Sequence, residues 1–337
     1  MKEKKKEKVL ITGLCGFVGH HVVEHFLKNT DMDIVGLDKL SYSSDGMNRL
    51  RDIDAFDEDR VKVFTTNLGD ENPFQPGLIK ELGEIDYVIH IAAESHVDNS
   101  LKDAREFARS NVLGTTNLLE YLKKYQPNLK KYIGFNTDEV FGPAPEGTYS
   151  KETDKFYPSN PYSGAKAGQW AMEWSFAHAF EMPICITHTM NIIGERQHPE
   201  KFLPMTIRKI LNGEKVILHG VKDKMSSRKW IHARNVADAL EFLLEKGERE
   251  ESYNIAGEEA DVLQVANMVC NVIKGRDLRE DEYEIHDVHS QRPGHDLRYS
   301  LDGSKMKKMG WDEPVGLEET IRNIVKWSTT RPDWLKI

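Results

Sequence analysis

The sequence predicts an α/β protein built on a doubly wound parallel sheet, with a smaller mixed α/β lobe that follows it. Apolar runs of strand length alternate with helical patterns through the first half of the chain, and a glycine-rich turn directly follows the first run. Short, nearly continuous apolar strands between helices are typical of a parallel sheet that is covered on both faces. Ligands of such sheets bind at the carboxyl ends of the strands, so we expect functional residues in the loops that follow them.

The same alternation predicts how the chain is divided. The predicted strands are 9–11, 34–37, 61–64, 87–91, 132–135 and 184–187. After about Asn191 the pattern loosens into connections that contain Pro, Gly and His, and later helices are predicted over 235–246, 262–273 and 317–327. We therefore predict a first domain over residues 1–190, with later returns near 229–256, and a mainly substrate-binding lobe over 191–337 with a discontinuous boundary.

Composition argues against several classes of protein. The formal net charge of the 337-residue chain is -9 at pH 7, whereas a nucleic-acid-binding surface needs clustered Lys and Arg, so we expect no nucleic-acid partner. No apolar stretch approaches the roughly 18 residues of a membrane span, so we expect no membrane association. Cys15, Cys185 and Cys270 are widely separated and fit neither a disulfide framework nor a thiolate zinc site. This pattern predicts a cytoplasmic protein without a structural metal.

A glycine-rich turn, Gly13-Leu14-Cys15-Gly16-Phe17-Val18-Gly19, separates the first strand from a helical segment. Glycines permit a tight turn here and let backbone N–H groups at a helix N-terminus approach a pyrophosphate. Asp38 ends the second strand about 20 residues later, where a carboxylate can accept ribose hydroxyl protons and repel a 2′-phosphate. Together they predict a Rossmann-like domain that binds NAD rather than NADP. The alternative is that Asp38 only caps the following turn.

Tyr162 and Lys166 lie four residues apart at the start of a helical pattern, so their side chains share one face. A nearby ammonium favours phenolate over phenol. Moving the pKa of a tyrosine from about 10 toward 7 takes roughly 4 kcal/mol, which a close Lys and a positive nicotinamide ring together are expected to supply in large part. Tyr162 would then act as a base on a hydroxyl group. Because any helix can carry this spacing by chance, a surface packing pair is the alternative.

Thr137, Asp138 and Glu139 follow directly after the predicted strand 132–135 and its neighbour Asn136. Two adjacent carboxylates at the carboxyl end of a strand lie where ligands bind. Adjacent carboxyls in different surroundings can have well-separated pKa values, so that one serves as an acid and the other as a base. The alternative is a helix N-cap or a turn, for which Thr and Asp are common choices.

Together these motifs resemble the nucleotide-sugar 4,6-dehydratases of the extended short-chain dehydrogenase/reductase superfamily, the dTDP-glucose 4,6-dehydratases above all. The G-x-x-G-x-x-G spacing is similar to that of the superfamily, and the likeness runs from about residue 9 to residue 311. The run Thr137-Asp138-Glu139 is the most specific block, because related sugar epimerases place different residues after the Thr. Other matching blocks are 92–98, 111–115, 160–163, 199–201 and 292–296.

The resemblance implies a redox-neutral cycle that converts dTDP-glucose to dTDP-4-keto-6-deoxy-glucose. Tyr162, supported by Lys166 and Thr137, would remove the O4 proton while NAD takes the C4 hydride. Glu139 would abstract the C5 proton as Asp138 protonates the departing C6 hydroxyl, and the hydride would return to C6. Each positioned acid or base of this kind is typically worth about 10²–10⁴ in rate.

The resemblance also implies binding residues and a partner. Those expected at NAD are Gly13, Gly16, Phe17, Val18, Gly19, Asp38, Lys39, Ser41, Asn67, Leu68, Ala92, Ala93, Tyr162 and Lys166. Those expected at the nucleotide-diphosphate sugar are Glu94, Ser95, Thr137, Asn191, Lys201, Arg228, Asn254, Arg292 and His295. Arg suits bidentate recognition of phosphate, although a salt bridge or a loop hydrogen bond is the alternative for each of these residues. A homodimer formed through helices that begin near Asn111 and Tyr162 is expected as well.

Five positions depart from the pattern of the dTDP-glucose enzymes, namely Asn67, Asn99, Asn136, Glu195 and Lys229. Glu195 and Lys229 flank the substrate lobe, and residues 96–100 and 166–168 resemble UDP-glucose 4,6-dehydratases. Glu94-Ser95 and residues 292–296, by contrast, resemble the dTDP-glucose enzymes. We expect dTDP-glucose as the substrate, with UDP-glucose or another UDP-hexose as the alternative. A nucleotide-sugar 4-epimerase or decarboxylase would use Tyr162 and Lys166 without the two carboxylates. A non-catalytic NAD sensor is the remaining alternative.

Overall fold

A computed structural model describes residues 5–221, 224–287 and 297–336. In chain order its strands are β1 (Lys8–Thr12), β2 (Asp33–Asp38), β3 (Val61–Thr65), β4 (Tyr87–His90), β5 (Lys131–Thr137), β6 (Ile184–Thr189), β7 (Ile192–Ile193), β8 (Val216–Val221), β9 (Lys224–Met225), β10 (Ser227–His232), β11 (Ser252–Ile255), β12 (Glu258–Asp261) and β13 (Tyr283–Asp287). The helices are α1 (Phe17–Asn29), α2 (Asn48–Asp52), α3 (Pro76–Leu82), α4 (Val97–Lys102), α5 (Ala104–Phe107), α6 (Gly114–Tyr125), α7 (Pro161–Ala179), α8 (Phe202–Asn212), α9 (Ala233–Lys246), α10 (Val262–Lys274), α11 (Ser304–Met309) and α12 (Leu317–Thr330). Short 3₁₀ turns cover Tyr42–Ser44, Asp138–Phe141, Glu280–Glu282 and Pro332–Leu335, and a π-helical segment covers Ala108–Leu113.

The main sheet has seven parallel strands within these ranges, in the order β11-β6-β5-β4-β1-β2-β3. The order reverses beside β1: β2 and β3 follow on one side of it, and after β3 the chain crosses to β4 on its other side. Such a switch point opens a crevice at the carboxyl ends of the strands, which is where open α/β sheets bind ligands. The six strands predicted in the first half are confirmed, and so is the fold class.

Helices cover both faces of this sheet. On one face α1 packs against α9, and Phe26 and Leu240 meet the strand residue Ile11 in a single buried cluster. On the other face α6 and α7 bury side chains such as Leu118 and Phe176. Full burial of an apolar side chain of this size contributes about 1.5–3 kcal/mol, so the two layers account for much of the stability of the sheet.

A smaller lobe is built from two three-stranded sheets, β12-β10-β7 and β13-β8-β9, packed with α8, α10 and α12. The sequence did not predict its strands, because they are short and carry exposed charges, as in Glu258–Asp261. Strand β11 and helix α9 return from this half of the chain to the main sheet. Within the described ranges, no helix is both long enough and apolar enough to cross a membrane.

Candidate active site

A cavity of about 740 Å³ lies at the carboxyl ends of the main strands and extends to the small lobe. Most of the site residues predicted from the sequence line it. These are Gly13, Gly16, Phe17, Val18, Gly19, Asp38, Lys39, Ser41, Asn67, Leu68, Ala92, Ala93, Ser95, Thr137, Asp138, Glu139, Tyr162, Lys166, Asn191, Lys201 and Arg228. Residues from both halves of the chain therefore meet around one space.

The glycine turn forms one end of the cavity. Gly13 has φ +73°, and a Cβ there would lie 2.9 Å from the Cα of Ala92, so this position requires glycine. Helix α1 begins after Gly16 with no side-chain cap and no acidic residue in its first turn. Its first N–H groups and its positive dipole end suit a pyrophosphate.

Asp38 lies next to this turn and is 7% exposed. Its Oδ2 accepts a hydrogen bond from the Cys15 N–H at 3.0 Å, and its Oδ1 accepts one from the Leu40 N–H at 2.8 Å. Burial raises the pKa of the Asp38 carboxyl, and these two N–H groups counter that effect. The carboxylate is thus fixed in orientation at the cavity wall, where it fits the ribose hydroxyls of NAD.

The neighbouring Lys39 is held by two carboxylates. Its Nζ lies 2.6 Å from Glu94 Oε1 and 3.0 Å from Glu106 Oε1. Desolvation opposes the charge of this ammonium, but its ion pairs raise the pKa of Lys39 overall. Glu94 itself is not among the residues that line the cavity, and it reaches the site through Lys39.

Thr137 ends β5 and caps the 3₁₀ turn Asp138–Phe141, which contains Asp138 and Glu139. The Thr137 hydroxyl accepts a hydrogen bond from the Glu139 N–H at 3.3 Å and donates one to Asp138 Oδ1 at 3.0 Å. The Asn160 amide donates to Glu139 Oε2 at 3.0 Å. Burial, followed by the charge of Glu139, raises the pKa of Asp138 to about 7. Asp138 therefore keeps its proton near neutral pH far better than an exposed aspartate does.

Tyr162 and Lys166 lie on one face of α7, which begins with a capping box between Asn160 and Ser163. Lys166 Nζ donates to the Phe135 carbonyl at 2.6 Å and to Gln169 Oε1 at 2.5 Å. Burial, followed by Glu139, raises the pKa of Tyr162, whereas the sequence predicted a lowered value. The direction differs because burial of the phenol is the largest effect and the charge of Glu139 adds to it, while a hydrogen bond with Thr137 offsets the two only in part.

Asn254 was predicted to bind the substrate, but it does not line the cavity. Its side-chain amide is buried and donates to the carbonyls of Ser150 at 2.9 Å and Asp302 at 3.2 Å. It ties together loops behind the cavity wall and does not line the cavity, because β11 directs it into the protein interior. Arg292 and His295 lie outside the described residues.

The sequence also missed residues at the rim of the cavity. Glu200 Oε1 lies 3.5 Å from His198 Nδ1 and 3.6 Å from His96 Nε2, and it accepts a hydrogen bond from the Tyr42 hydroxyl at 3.5 Å. Tyr42 in turn accepts one from the Asn99 amide at 3.0 Å. Glu200 belongs to the matched block 199–201, which was the available signal. Within the described ranges, no group of three His, Cys, Asp or Glu side chains could hold a metal ion.

Comparison with known proteins places the chain in a family. Residues 10–324 match the family model of GDP-mannose 4,6 dehydratase. A dTDP-glucose 4,6-dehydratase of Escherichia coli is 31% identical over 348 residues, which cover 98% of this chain and 94% of that protein. A trifunctional UDP-glucose 4,6-dehydratase/UDP-4-keto-6-deoxy-D-glucose 3,5-epimerase/UDP-4-keto-L-rhamnose-reductase of Arabidopsis thaliana is 34% identical over 98% of this chain, but the chain spans only 48% of that protein.

The fold has a solved counterpart in the dTDP-glucose 4,6-dehydratase from Streptomyces venezuelae, whose crystal structure contains NAD and a second ligand. The TM-score is 0.86 at 29% sequence identity, and the match covers 98% of this chain and 99% of the other. The predicted resemblance, enzyme class and cofactor are confirmed at the level of the family. The chain belongs to the GDP-mannose 4,6-dehydratase family and is similar throughout its length to dTDP-glucose 4,6-dehydratases.

Proposed function

We propose that this protein is an NAD-dependent nucleotide-sugar 4,6-dehydratase that converts dTDP-glucose to dTDP-4-keto-6-deoxy-glucose. One observation carries the proposal: Asp138 and Glu139 are adjacent and line the same cavity as Tyr162, yet they have different surroundings. Removal of water across C5 and C6 requires a base and an acid at the same time. A neighbouring pair with unlike environments meets that requirement.

The cofactor end of the cavity fits NAD. The uncapped first turn of α1 would hold the pyrophosphate, and Asp38 would hold a ribose. NAD supplies the hydride chemistry when bound, accepting a hydride from the sugar and returning it. Tyr162 removes the proton from the O4 hydroxyl. The Thr137 hydroxyl, which donates to Asp138 Oδ1, stabilises the phenolate when its single proton turns toward Tyr162 instead.

The two carboxyls then divide the work. Glu139 abstracts the proton from C5, because it is more exposed than Asp138 and Asn160 holds one of its oxygens. Asp138, whose raised pKa of about 7 favours the protonated form, donates a proton to the C6 hydroxyl as it departs. Water leaves, and Glu139 gives its proton back to C5 as C6 regains the hydride. The proton that Tyr162 took from O4 then replaces, through solvent, the one that Asp138 gave to the departing hydroxyl.

The nucleotide end is built from the small lobe. Asn191, Lys201 and Arg228 line the cavity there. The Arg228 guanidinium donates to the carbonyls of Ser227 and Leu297 at 2.7 Å each, and it lies 4.8 Å from the centre of the Tyr299 ring. A guanidinium fixed in this way suits a diphosphate. UDP-glucose or another UDP-hexose is the alternative substrate, supported by the similarity to a UDP-glucose 4,6-dehydratase.

The test is to incubate the purified protein with NAD and either dTDP-glucose or UDP-glucose, and to identify the product by mass and NMR. A 4-keto-6-deoxy sugar supports the proposal, and the better substrate identifies the nucleotide. A 4-epimer without any keto product would contradict it and favour an epimerase. NAD binding with no turnover of either sugar would favour a non-catalytic sensor.

We also propose a homodimer, formed through the helices that begin near Asn111 and Tyr162. Two leucines near this face support it, because Leu101 and Leu113 are both 44% exposed. A monomer in multi-angle light scattering would overturn the dimer.

A cytoplasmic location is proposed as well, since Cys15, Cys185 and Cys270 are all free and buried.

A further inference from the structure

Helix α7 carries a buried chain of hydrogen bonds behind Lys166. Gln169 Oε1 accepts from Lys166 Nζ at 2.5 Å, and Gln169 Nε2 donates to Glu173 Oε1 at 3.0 Å. The Tyr132 hydroxyl donates to the same Glu173 oxygen at 2.9 Å. The spacing of three and four residues puts the three helix residues on one face. Gln169 and Glu173 are fully buried, and neither is among the residues that line the cavity.

The sheet leaves room for this carboxylate. Gly134 of β5 lies directly against it, and a Cβ at position 134 would overlap the Glu173 carboxyl group. Glu173 Oε2 accepts no hydrogen bond from the residues that the structure describes. A buried carboxylate with an unsatisfied oxygen costs stability unless a positive charge compensates it. Packing alone would be better served by an apolar side chain, so the position calls for a functional explanation.

The carboxylate fixes the orientation of Gln169. A carboxylate only accepts hydrogen bonds, so the amide N–H group of Gln169 must face Glu173 and its oxygen must face Lys166. Lys166 Nζ thus meets two neutral acceptors, Gln169 Oε1 and the Phe135 carbonyl. An ammonium has three N–H donors, which leaves one for a group in the cavity.

Few other charges act on Lys166. His90 of β4 and His188 of β6 are neutral, because burial lowers the pKa of each to about 3. Cys185 of β6, which senses the charge of Glu173, is a neutral thiol because burial raises its pKa to about 12. Burial also raises the pKa of Tyr132. Burial also raises the pKa of Glu173, to about 7, while the hydrogen bond from Gln169 and the charge of Lys166 favour its ionised form. Among the described residues that act on Lys166, Glu173 is therefore the group that carries the negative charge at and above neutral pH.

We infer that Glu173 is the buried counter-ion of Lys166, a positioning residue that keeps the lysine charged and, through Gln169, directs its third N–H toward the cavity. The role of Lys166 in catalysis rests on the proposed function, whereas its charge does not. Burial lowers the pKa of Lys166, and the charge of Glu173 opposes that shift. Loss of the carboxylate should let Lys166 lose its proton at a lower pH.

The test measures the titration of Lys166 directly. The protein is labelled with ¹³C at lysine Cε, loaded with NAD and titrated by NMR, and the Lys166 signal is assigned from its loss in Lys166→Arg. In Glu173→Gln, which preserves shape, the pKa of Lys166 should fall by about one unit or more. The exposed Glu181→Gln serves as the matched control and should leave the Lys166 signal unchanged. An unshifted Lys166 signal in folded Glu173→Gln overturns the inference.

A reciprocal variant guards against misfolding. In Gln169→Glu/Glu173→Gln the amide and the carboxylate exchange places, which keeps one anion in the chain next to Lys166. The titration of Lys166 should return to, or rise above, that of the parent protein. If both variants fold, a Lys166 pKa as low in the reciprocal variant as in Glu173→Gln overturns the inference. If only the reciprocal variant folds, a Lys166 pKa below that of the parent protein overturns it.

Kinetics provide the second readout. When kcat is measured against pH with a nucleotide sugar that the protein converts, Glu173→Gln should move the alkaline limb to lower pH while KM stays unchanged. An alkaline limb that stays in place would overturn the link to catalysis. Because the NMR titration needs no sugar substrate, failure of the proposed dehydratase activity would leave the test of the counter-ion intact.

Discussion

Asp138 and Glu139 are consecutive residues at the end of β5, but only one of them is buried among protein groups. Asp138 is 6% exposed and accepts a hydrogen bond from the Thr137 hydroxyl. Glu139 is partly exposed and accepts a hydrogen bond from the Asn160 amide. The turn that begins at Thr137 creates this difference, because it points the two side chains in different directions. Two carboxyls of one sequence motif thereby acquire separate chemical properties.

Replacing Glu139 by Gln should stop loss of the C5 proton. The amide keeps the size of the side chain and cannot act as a base, so turnover of dTDP-glucose should fall by roughly 10²–10⁴. NAD binding should be unaffected. Exchange of the C5 hydrogen with solvent deuterium measures this step, and Glu146→Gln, at an exposed position, is the control. Unchanged turnover would remove Glu139 from the mechanism.

Ionisation of the Asp138 carboxyl should destabilise the folded protein as pH rises. Its pKa is about 7 in the folded protein against an ordinary value of 3.8, so the folded state binds the proton more tightly than the unfolded state does. The free energy of unfolding should therefore decrease as pH rises from about 4 to 7, by up to roughly 4 kcal/mol in total.

The Asp138→Asn variant removes this titration. At pH 8 it should be more stable than the parent protein in urea denaturation, and its stability should change less between pH 5 and pH 8. Its turnover should be roughly 10²–10⁴ lower, because the amide cannot supply a proton. Equal pH dependence of unfolding in both proteins would show that the Asp138 carboxyl is ionised in the folded state.

The Asp38→Asn variant tests the cofactor end. The amide keeps the shape of the side chain but loses the charge that suits the ribose hydroxyls and repels a 2′-phosphate. A hydrogen bond to a charged group contributes about 1.5–3 kcal/mol, so NAD should bind roughly 10- to 100-fold more weakly. Calorimetry with NAD and NADP measures both affinities, with the exposed Asp57→Asn as the control. Full retention of NAD affinity and of selectivity against NADP would show that Asp38 only supports the turn.

Much of this site could be predicted from local patterns. The turn Gly13 to Gly19 and the residue Asp38 follow apolar strands, and their positions depend on nothing beyond the strand-turn-helix unit. Tyr162 and Lys166 share a face because of helix geometry alone. Such features are local in sequence, and the structure brings them to one cavity as the parallel sheet requires.

Other features depend on contacts between distant segments. Asn254 has the residue type of a substrate ligand, but only the packing of β11 shows that it binds the loops at Ser150 and Asp302. The pKa of Tyr162 is raised first by burial and then by the charge of Glu139, and both depend on how α7 packs against the end of β5. Glu173 lies seven residues after Lys166 on the same helix face, which was a signal, but its meaning depends on the space at Gly134.

The contact between Gly134 and Glu173 gives the last prediction. In Gly134→Ala the new methyl group would overlap the carboxyl, and because the contact lies between β5 and the buried face of α7, neither partner can move into solvent. Overpacking of this kind typically costs 1–3 kcal/mol, so Gly134→Ala should lower the free energy of unfolding by about that amount.

A second substitution separates overpacking from a general intolerance of β5. In Glu173→Ala/Gly134→Ala the carboxyl is absent, so the added methyl group should cost much less than it does beside Glu173. Urea denaturation of the two single variants, the double variant and the parent protein gives the coupling energy between the positions. If the changes in the free energy of unfolding are additive, glycine at position 134 is not required by the Glu173 carboxylate. A coupling of about 1 kcal/mol or more would tie the glycine in the sheet to the charge behind Lys166.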